Sequence, residues 1–207
     1  MTLHRRNRRR TASLRLAVLL PLVAGLGACG PTMVVGAGAT AGIAATEERG
    51  PAAAIDDNTI ALSINKLWLD HDWRIFRDVS TSVTEGRVLL TGKVESPEHE
   101  LEAVRLAWQA EGVRAVIDEI KVTNESSVMD YARDTWISTQ LRTAITFDEK
   151  IRAVNYNVVT VDGVVYLMGL AQSQEEIERV LDYARDIRYV RNVVSHVLVK
   201  TDPRRGA

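Results

Sequence analysis

Glu85-Gly86-Arg87-Val88-Leu89-Leu90-Thr91-Gly92 and Asp162-Gly163-Val164-Val165-Tyr166-Leu167-Met168-Gly169 are one pattern written twice, 77 residues apart. An acidic residue followed by glycine suits a two-residue hairpin turn, whose central positions both take positive φ. The apolar run behind it reads as a strand. The same offset holds outward in both directions. Asp57-x-x-Ile60-x-x-x-Ile64 matches Asp134-x-x-Ile137-x-x-x-Leu141, and Ser96 matches Ser173. Val116, Ile117, Ile120 and Val122 match Val193, Val194, Val197 and Val199. Only the stretch between Ser96 and Val113 needs a one-residue slip and its reversal. A single offset that survives at both ends predicts two homologous units of about 70 residues.

Each unit reads in the same order. Ile60, Ile64, Leu67 and Trp68 recur at helical spacing, as do Ile137, Leu141, Ala144 and Ile145. Asp57 and Asp134 are expected in the first turn of these helices, where a carboxylate is favourable. A strand follows over 79–83 and 154–161, then the turn, then a strand over 87–90 and 164–168 ending at Gly92 and Gly169. The second helix starts at Ser96, with Pro97 in the first helical position, and at Ser173-Gln174-Glu175-Glu176, a capping box. Its apolar stripe is expected at Leu101, Val104 and Trp108, and at Ile177, Val180, Leu181 and Ala184. A strand over 113–122 and 190–199 closes each unit. The expected fold is α+β, with each unit αββαβ: a three-stranded mixed sheet covered by two helices.

G-x-V-x-L-x-G, a helix, and a Val/Ile-rich strand ending I-x-V or V-x-V resemble the BON domain (bacterial OsmY and nodulation). The resemblance covers two tandem domains, residues 56–124 and 129–200, with 201–207 as a C-terminal tail.

The first 28 residues hold Arg5, Arg6, Arg8, Arg9, Arg10 and Arg15, no acid, and then the apolar run from Leu16 to Leu26. Basic, then apolar, then small residues is the plan of a signal peptide. The run is broken by Pro21 and is too short to span a bilayer, which takes about 20 apolar residues. Leu26-Gly27-Ala28-Cys29 resembles the lipobox of bacterial lipoproteins, with the only cysteine of the chain at the required place. That resemblance implies cleavage before Cys29 and acylation of Cys29, palmitate included. An ordinary cleavable signal with a chance cysteine is the alternative. Gly30 follows where an inner-membrane protein commonly has aspartate, which favours the outer membrane. Residues 29–55 read as the lipidated cysteine and a flexible Gly/Ala-rich tether.

Lipobox, tether and two BON domains together resemble the family of dual-BON outer-membrane lipoproteins. Asp134-Thr135-Trp136-Ile137-Ser138-Thr139 and Tyr166-Leu167-Met168-Gly169-Leu170 carry the more specific part of that resemblance. It implies a non-enzymatic protein, lipid-anchored to the outer membrane and facing the periplasm. It also implies a role in outer-membrane integrity and binding of anionic phospholipid through the second BON domain.

Composition limits the alternatives. Without the first 28 residues the chain carries twenty bases against twenty-seven acids, a net charge of −7, which speaks against nucleic acid as a partner. A lone cysteine excludes an internal disulfide and thiol chemistry within the mature fold. No nucleophile elbow, P-loop or zinc-protease motif occurs, so no catalytic residue, cofactor or metal site is expected. Asp70-His71-Asp72 could touch a metal but sits where a helix should end, and a histidine there is more often a charge partner. The protein is expected to be a monomer.

One residue stands apart. Trp136 lies about 125° from the centre of its helix's apolar stripe. Its partner in the first unit is Thr59, so the fold does not demand a tryptophan there. Arg133, Gln140 and Thr143 share its face, with Met129 and Phe147 toward the ends. A tryptophan beside an arginine suits a bilayer interface, where the guanidinium can meet phosphate. The resemblance implies phospholipid contact by Arg133, Trp136, Gln140 and Thr143. Packing of Trp136 against the first domain, or an envelope protein partner on the same face, is the alternative. Residues 56–124 carry a net charge of −5 and residues 129–200 of −1, so the second domain is the better candidate for an anionic surface. Lys150 and Arg152 could add to its charge.

Overall fold

The structure is a computed structural model that describes residues 50–123 and 128–206. The signal segment, Cys29, most of the tether and the connection at 124–127 lie outside the described residues.

The first domain runs α1 (Gly50–His71), α2 (Trp73–Asp78), β1 (Val79–Thr84), β2 (Arg87–Val94), α3 (Pro97–Ala107) and β3 (Ala115–Val122). The second runs α4 (Val128–Phe147), a 3-10 turn (Ala153–Asn155), β4 (Tyr156–Val161), β5 (Val164–Ala171), α5 (Gln174–Asp186) and β6 (Asn192–Val199). A 3-10 turn at Pro203–Gly206 ends the described chain. Both sheets are mixed and three-stranded: β2 pairs antiparallel with β1 and parallel with β3, and β5 does the same with β4 and β6. The registers are identical at the repeat offset. Gly92 faces Val79 and Ile120, while Gly169 faces Tyr156 and Val197. The α+β, αββαβ architecture expected from the repeat is therefore present twice.

Local chemistry explains the joints. Glu85 and Gly86 have φ of 54° and 73°, and Asp162 and Gly163 of 51° and 72°. These are the two successive left-handed residues that a tight hairpin of this hand requires. Ser96 and Ser173 cap α3 and α5, accepting from the backbone N–H of His99 and Glu176. Asp72 ends α1 and caps α2, accepting from Arg74 N at 2.9 Å. Arg74 in turn holds the Asp72 carboxyl down to about 2 by hydrogen bonding.

Several expectations are corrected. α1 begins at Gly50, inside the stretch read as tether. With helices this long, Asp57 and Asp134 are interior residues and cap no helix. Both are buried, and each carboxylate accepts the two N–H groups of a hairpin turn. Asp57 takes Glu85 N and Gly86 N at 2.8 and 2.9 Å; Asp134 takes Asp162 N and Gly163 N at 2.7 and 2.8 Å. Gly92 and Gly169 lie within their strands. A Cβ on Gly169 would stand 2.0 Å from Asn155 O, the backbone that crosses it on entering β4. Residue 154 belongs to the 3-10 turn, so the strand begins at Tyr156. The closing strands begin two residues later than expected, at Ala115 and Asn192. The Glu176 carboxylate reaches past its own cap to Gln172 N and Arg152 N, at 2.7 and 2.8 Å.

The core of the first domain gathers Ile60, Ile64 and Trp68 of α1, Val88 and Leu90 of β2, and Ala103, Leu106 and Ala107 of α3. Leu101 and Trp108, expected on the α3 stripe, are 70% and 51% exposed. The second core gathers Ile137, Leu141 and Ile145 of α4, Val165 and Leu167 of β5, and Ile177, Val180 and Ala184 of α5.

The opposite faces of the two sheets meet each other. Leu89 of β2 packs with Val161, Tyr166 and Met168, and Ile117, Val159, Val164 and Val194 close the cluster. Around it, Lys93 Nζ reaches Asp162 Oδ1 at 2.6 Å, and Arg87 Nη1 donates to His196 O at 3.3 Å. His196 Nε2 meets Glu119 Oε1 at 2.9 Å. His196 and Glu119 are themselves repeat partners, so the domains face each other about an approximate two-fold axis. The residues read as a tail return to the first domain: Arg205 Nε donates to Glu85 Oε2 at 3.0 Å and its Nη2 to Oε1 at 2.6 Å.

Candidate functional site

The site is built on a hydrogen-bonded relay. Asp134 fixes α4 to the Asp162-Gly163 turn, and Gly163 O accepts Arg191 N at 2.7 Å. Trp136 lies two residues after Asp134, and Tyr189 two residues before Arg191. The relay therefore holds the outer face of α4 against the loop after α5. Ser138 and Thr160 add a buried hydroxyl pair at 2.8 Å.

Trp136 is 43% exposed. Its ring meets that of Tyr189 edge-on, with centroids 6.0 Å apart and planes at 71°. Tyr189 is 47% exposed. Two guanidinium groups lie over the Tyr189 ring, Arg188 at 4.5 Å and Arg133 at 5.3 Å. Arg133 also pairs with Asp130 at 2.7 Å. Arg191 is exposed alongside. Two half-exposed aromatic rings, three arginines and one nearby acid form an amphipathic, cation-rich patch. Such rings bury an apolar body while their polar edges stay wet, and arginine matches phosphate with paired donors.

Of the residues expected at this site, Arg133 and Trp136 come together. Gln140 and Thr143 are exposed one and two turns further along α4. The Thr143 hydroxyl donates to Thr139 O at 2.8 Å, part of a series in which Thr135, Thr139 and Thr143 each bond the carbonyl four residues back. Phe147 is exposed at the far end of α4. Lys150 and Arg152 follow it, about 20 Å of helix away from Arg133, and belong to a different surface. Trp136 has its ring partner within its own domain, while the two domains meet through their sheets. His71 ends α1 beside Glu102 Oε1 at 3.1 Å. Among the described residues, no group of three or more His, Cys, Asp or Glu could hold a metal, and no helix is long and apolar enough to cross a membrane.

Sequence reasoning missed Tyr189 and Arg188. Their signal was in the repeat. Arg133, Trp136, Arg188 and Tyr189 correspond to Asp56, Thr59, Glu111 and Gly112 of the first domain. The correspondence is geometric as well: Arg114 N donates to Gly86 O at 2.8 Å, as Arg191 N does to Gly163 O. The scaffold is the same. On it the first domain carries acids and small residues around an open hollow, and the second carries arginines and aromatic rings.

Comparison with known proteins agrees with the fold. A protein of Anaplasma centrale named "Uncharacterized protein in gshII 5'region" is 43% identical over 147 residues, 70% of this chain and 96% of that protein. The outer membrane lipoprotein DolP of Haemophilus influenzae is 30% identical over 181 residues, 87% of this chain and 93% of that one. The osmotically-inducible protein Y of Escherichia coli is 32% identical over 148 residues, 70% of this chain and 74% of that one. The BON domain model matches residues 56–124 and again residues 133–201. With two such matches spanning well over half of its length, the chain belongs to the BON domain family, as a protein of two tandem BON domains.

Proposed function

We propose that the chain is a non-enzymatic lipoprotein of the cell envelope, anchored at Cys29 to the outer membrane and facing the periplasm. In this reading its second BON domain binds anionic phospholipid and so supports outer-membrane integrity. The observation that carries it is the contrast between the two domains at one place on one scaffold. Arg133, Trp136, Arg188 and Tyr189 in the second domain stand where the first has Asp56, Thr59, Glu111 and Gly112. The rings can enter the headgroup region while the guanidinium groups meet phosphate. The lipobox and the likeness to an outer membrane lipoprotein support the location.

Residues 50–207 include every buried side chain of both cores, so that soluble piece is the protein to titrate with vesicles. Binding is expected to phosphatidylglycerol-containing vesicles, weakened by salt, and not to phosphatidylcholine alone. Trp136→Glu should weaken it about tenfold, the equivalent of ~1.4 kcal/mol. Stability should fall by no more than about 1 kcal/mol, since only the edge contact with Tyr189 is lost. Undiminished binding by that variant would sink the assignment of this face. In the full chain, Cys29→Ala should abolish partitioning into the detergent phase, because several acyl chains at about 0.8 kcal/mol per methylene make anchoring nearly permanent. Normal partitioning by that variant would remove the anchor from Cys29.

A further inference from the structure

Tyr189 stands in a conformation that suits glycine. Its φ is 73°, in the left-handed region. A bulky residue there is a marked outlier, because its Cβ crowds the carbonyl groups on either side. The first domain solves the same corner with Gly112, at φ 88°. The two positions are equivalent in detail. The carbonyl oxygens of Gly112 and Tyr189 lie 2.6 and 2.8 Å from where a Cβ on Gly86 and Gly163 would stand. The second domain therefore keeps a tyrosine where its own repeat has the residue the backbone prefers.

Packing does not account for it. The ring is about half exposed, and its aromatic neighbour Trp136 is about as exposed. A structural anchor would be buried, whereas this ring is held out under Arg133 and Arg188. Strain kept at an exposed residue points to a task at the surface.

We propose that Tyr189 is a membrane-contacting residue, held in a strained backbone so that its ring enters an anionic lipid surface beside Trp136. The three arginines around it, Arg133, Arg188 and Arg191, supply the charge complementarity that selects a phosphate-bearing bilayer over an uncharged one. This rests on the phospholipid-binding reading of the second domain.

The test uses residues 50–207 and vesicles of phosphatidylglycerol and phosphatidylcholine in equal parts, with phosphatidylcholine vesicles as the uncharged arm. Tyr189→Gly should melt at or above the parent temperature, because the strain is relieved. Its affinity for the mixed vesicles should fall about tenfold. Parent-like vesicle binding by Tyr189→Gly overturns the proposal, whatever its melting temperature. A second arm separates contact from indirect effects. In a Trp136→Phe background, Tyr189→Trp should add fluorescence quenching by brominated phosphatidylglycerol over that of Trp136→Phe alone. Added quenching supports the proposal even if Tyr189→Gly proves less stable, and its absence overturns it. If Trp136→Glu binds as the parent does, the reading of the whole face has failed. If only the Tyr189 variants bind normally, this inference alone has failed.

Discussion

Asp134 shows how a buried carboxylate can hold a fold together without an ion pair. It sits inside α4, faces the sheet, and accepts both N–H groups of the turn 28 and 29 residues further on. Asp57 does the same in the first domain. Hydrogen bonds to a charged acceptor contribute about 1.5–3 kcal/mol each, and a buried N–H left without a partner costs about 1–3 kcal/mol. Asp134→Ala should therefore destabilise the second domain by about 3 kcal/mol. Asp134→Asn, which keeps one acceptor, should fall between that variant and the parent. Denaturant unfolding of the three proteins checks the order; equal midpoints would remove the role. The residue was visible in the sequence as a repeated position, yet its job was not. Periodicity locates a helix by its apolar stripe and says little about where the helix starts. Both helices begin before the stripe does, so an aspartate that looked like a cap lies in the helix interior. The Glu-Gly and Asp-Gly turns were readable because a local φ requirement is written in the residue types themselves.

α3 and α5 occupy the same place in the two domains and fill it differently. α5 packs Val180 where α3 packs Ala103, and α4 supplies Ile145 where α1 supplies Trp68. The large residue of one domain faces the small residue of the other helix, so volume is exchanged across the pair. The Trp68 indole N–H also donates to Ala103 O at 3.0 Å, a bond that needs the close approach alanine allows. This exchange hid the buried face of α3 from sequence reading. Leu101, Val104 and Trp108 form the more apolar stripe, but the face that reaches the sheet is Ala103, Leu106, Ala107 and Ala110. Trp68→Ala should cost about 3–5 kcal/mol through cavity and lost burial, whereas Trp108→Ser should change stability by no more than about 0.5 kcal/mol. Thermal unfolding distinguishes them, and similar losses in both would contradict this packing. On α4 the same kind of reading succeeded, because Trp136 is large, lies off the stripe and has a threonine as its counterpart. Tyr189 escaped it, since a loop residue has no periodicity and its backbone angle leaves no trace in a single repeat. Only the pairing with Gly112 marks it.

Two identical sheets packed back to back make the molecule a quasi-dimer within one chain. The repeat explains why: each sheet has one face under its helices and needs a cover for the other, and a second copy offers a complementary one. The run Val164-Val165-Tyr166-Leu167-Met168 carries this in its sequence, being apolar at successive positions and so suited to burial on both faces. What covers the second face was not legible, because nothing in an alternating strand names its partner. Leu89 tests the arrangement cleanly. It is buried, lies in the cluster with Tyr166 and Met168, and points away from Val88 and Leu90, which belong to the core of its own domain. Leu89→Asp would place an unpaired charge between the sheets, a cost of several kcal/mol if the interface stayed closed. Opening the interface wets that charge and leaves both cores whole. The domains should then unfold independently, giving two calorimetric transitions in place of one cooperative transition. The Arg205–Glu85 pair would still link them, as a surface contact contributing at most about 1 kcal/mol, too little to restore cooperativity. Because Trp136, Tyr189 and their arginines are fixed to the second domain by Asp134 and the Gly163 turn, vesicle binding by Leu89→Asp should stay close to that of the parent. A single unshifted transition would mean that the sheet-to-sheet contact contributes nothing to cooperativity. Two transitions with vesicle binding lost would mean that the lipid-facing surface extends across both domains.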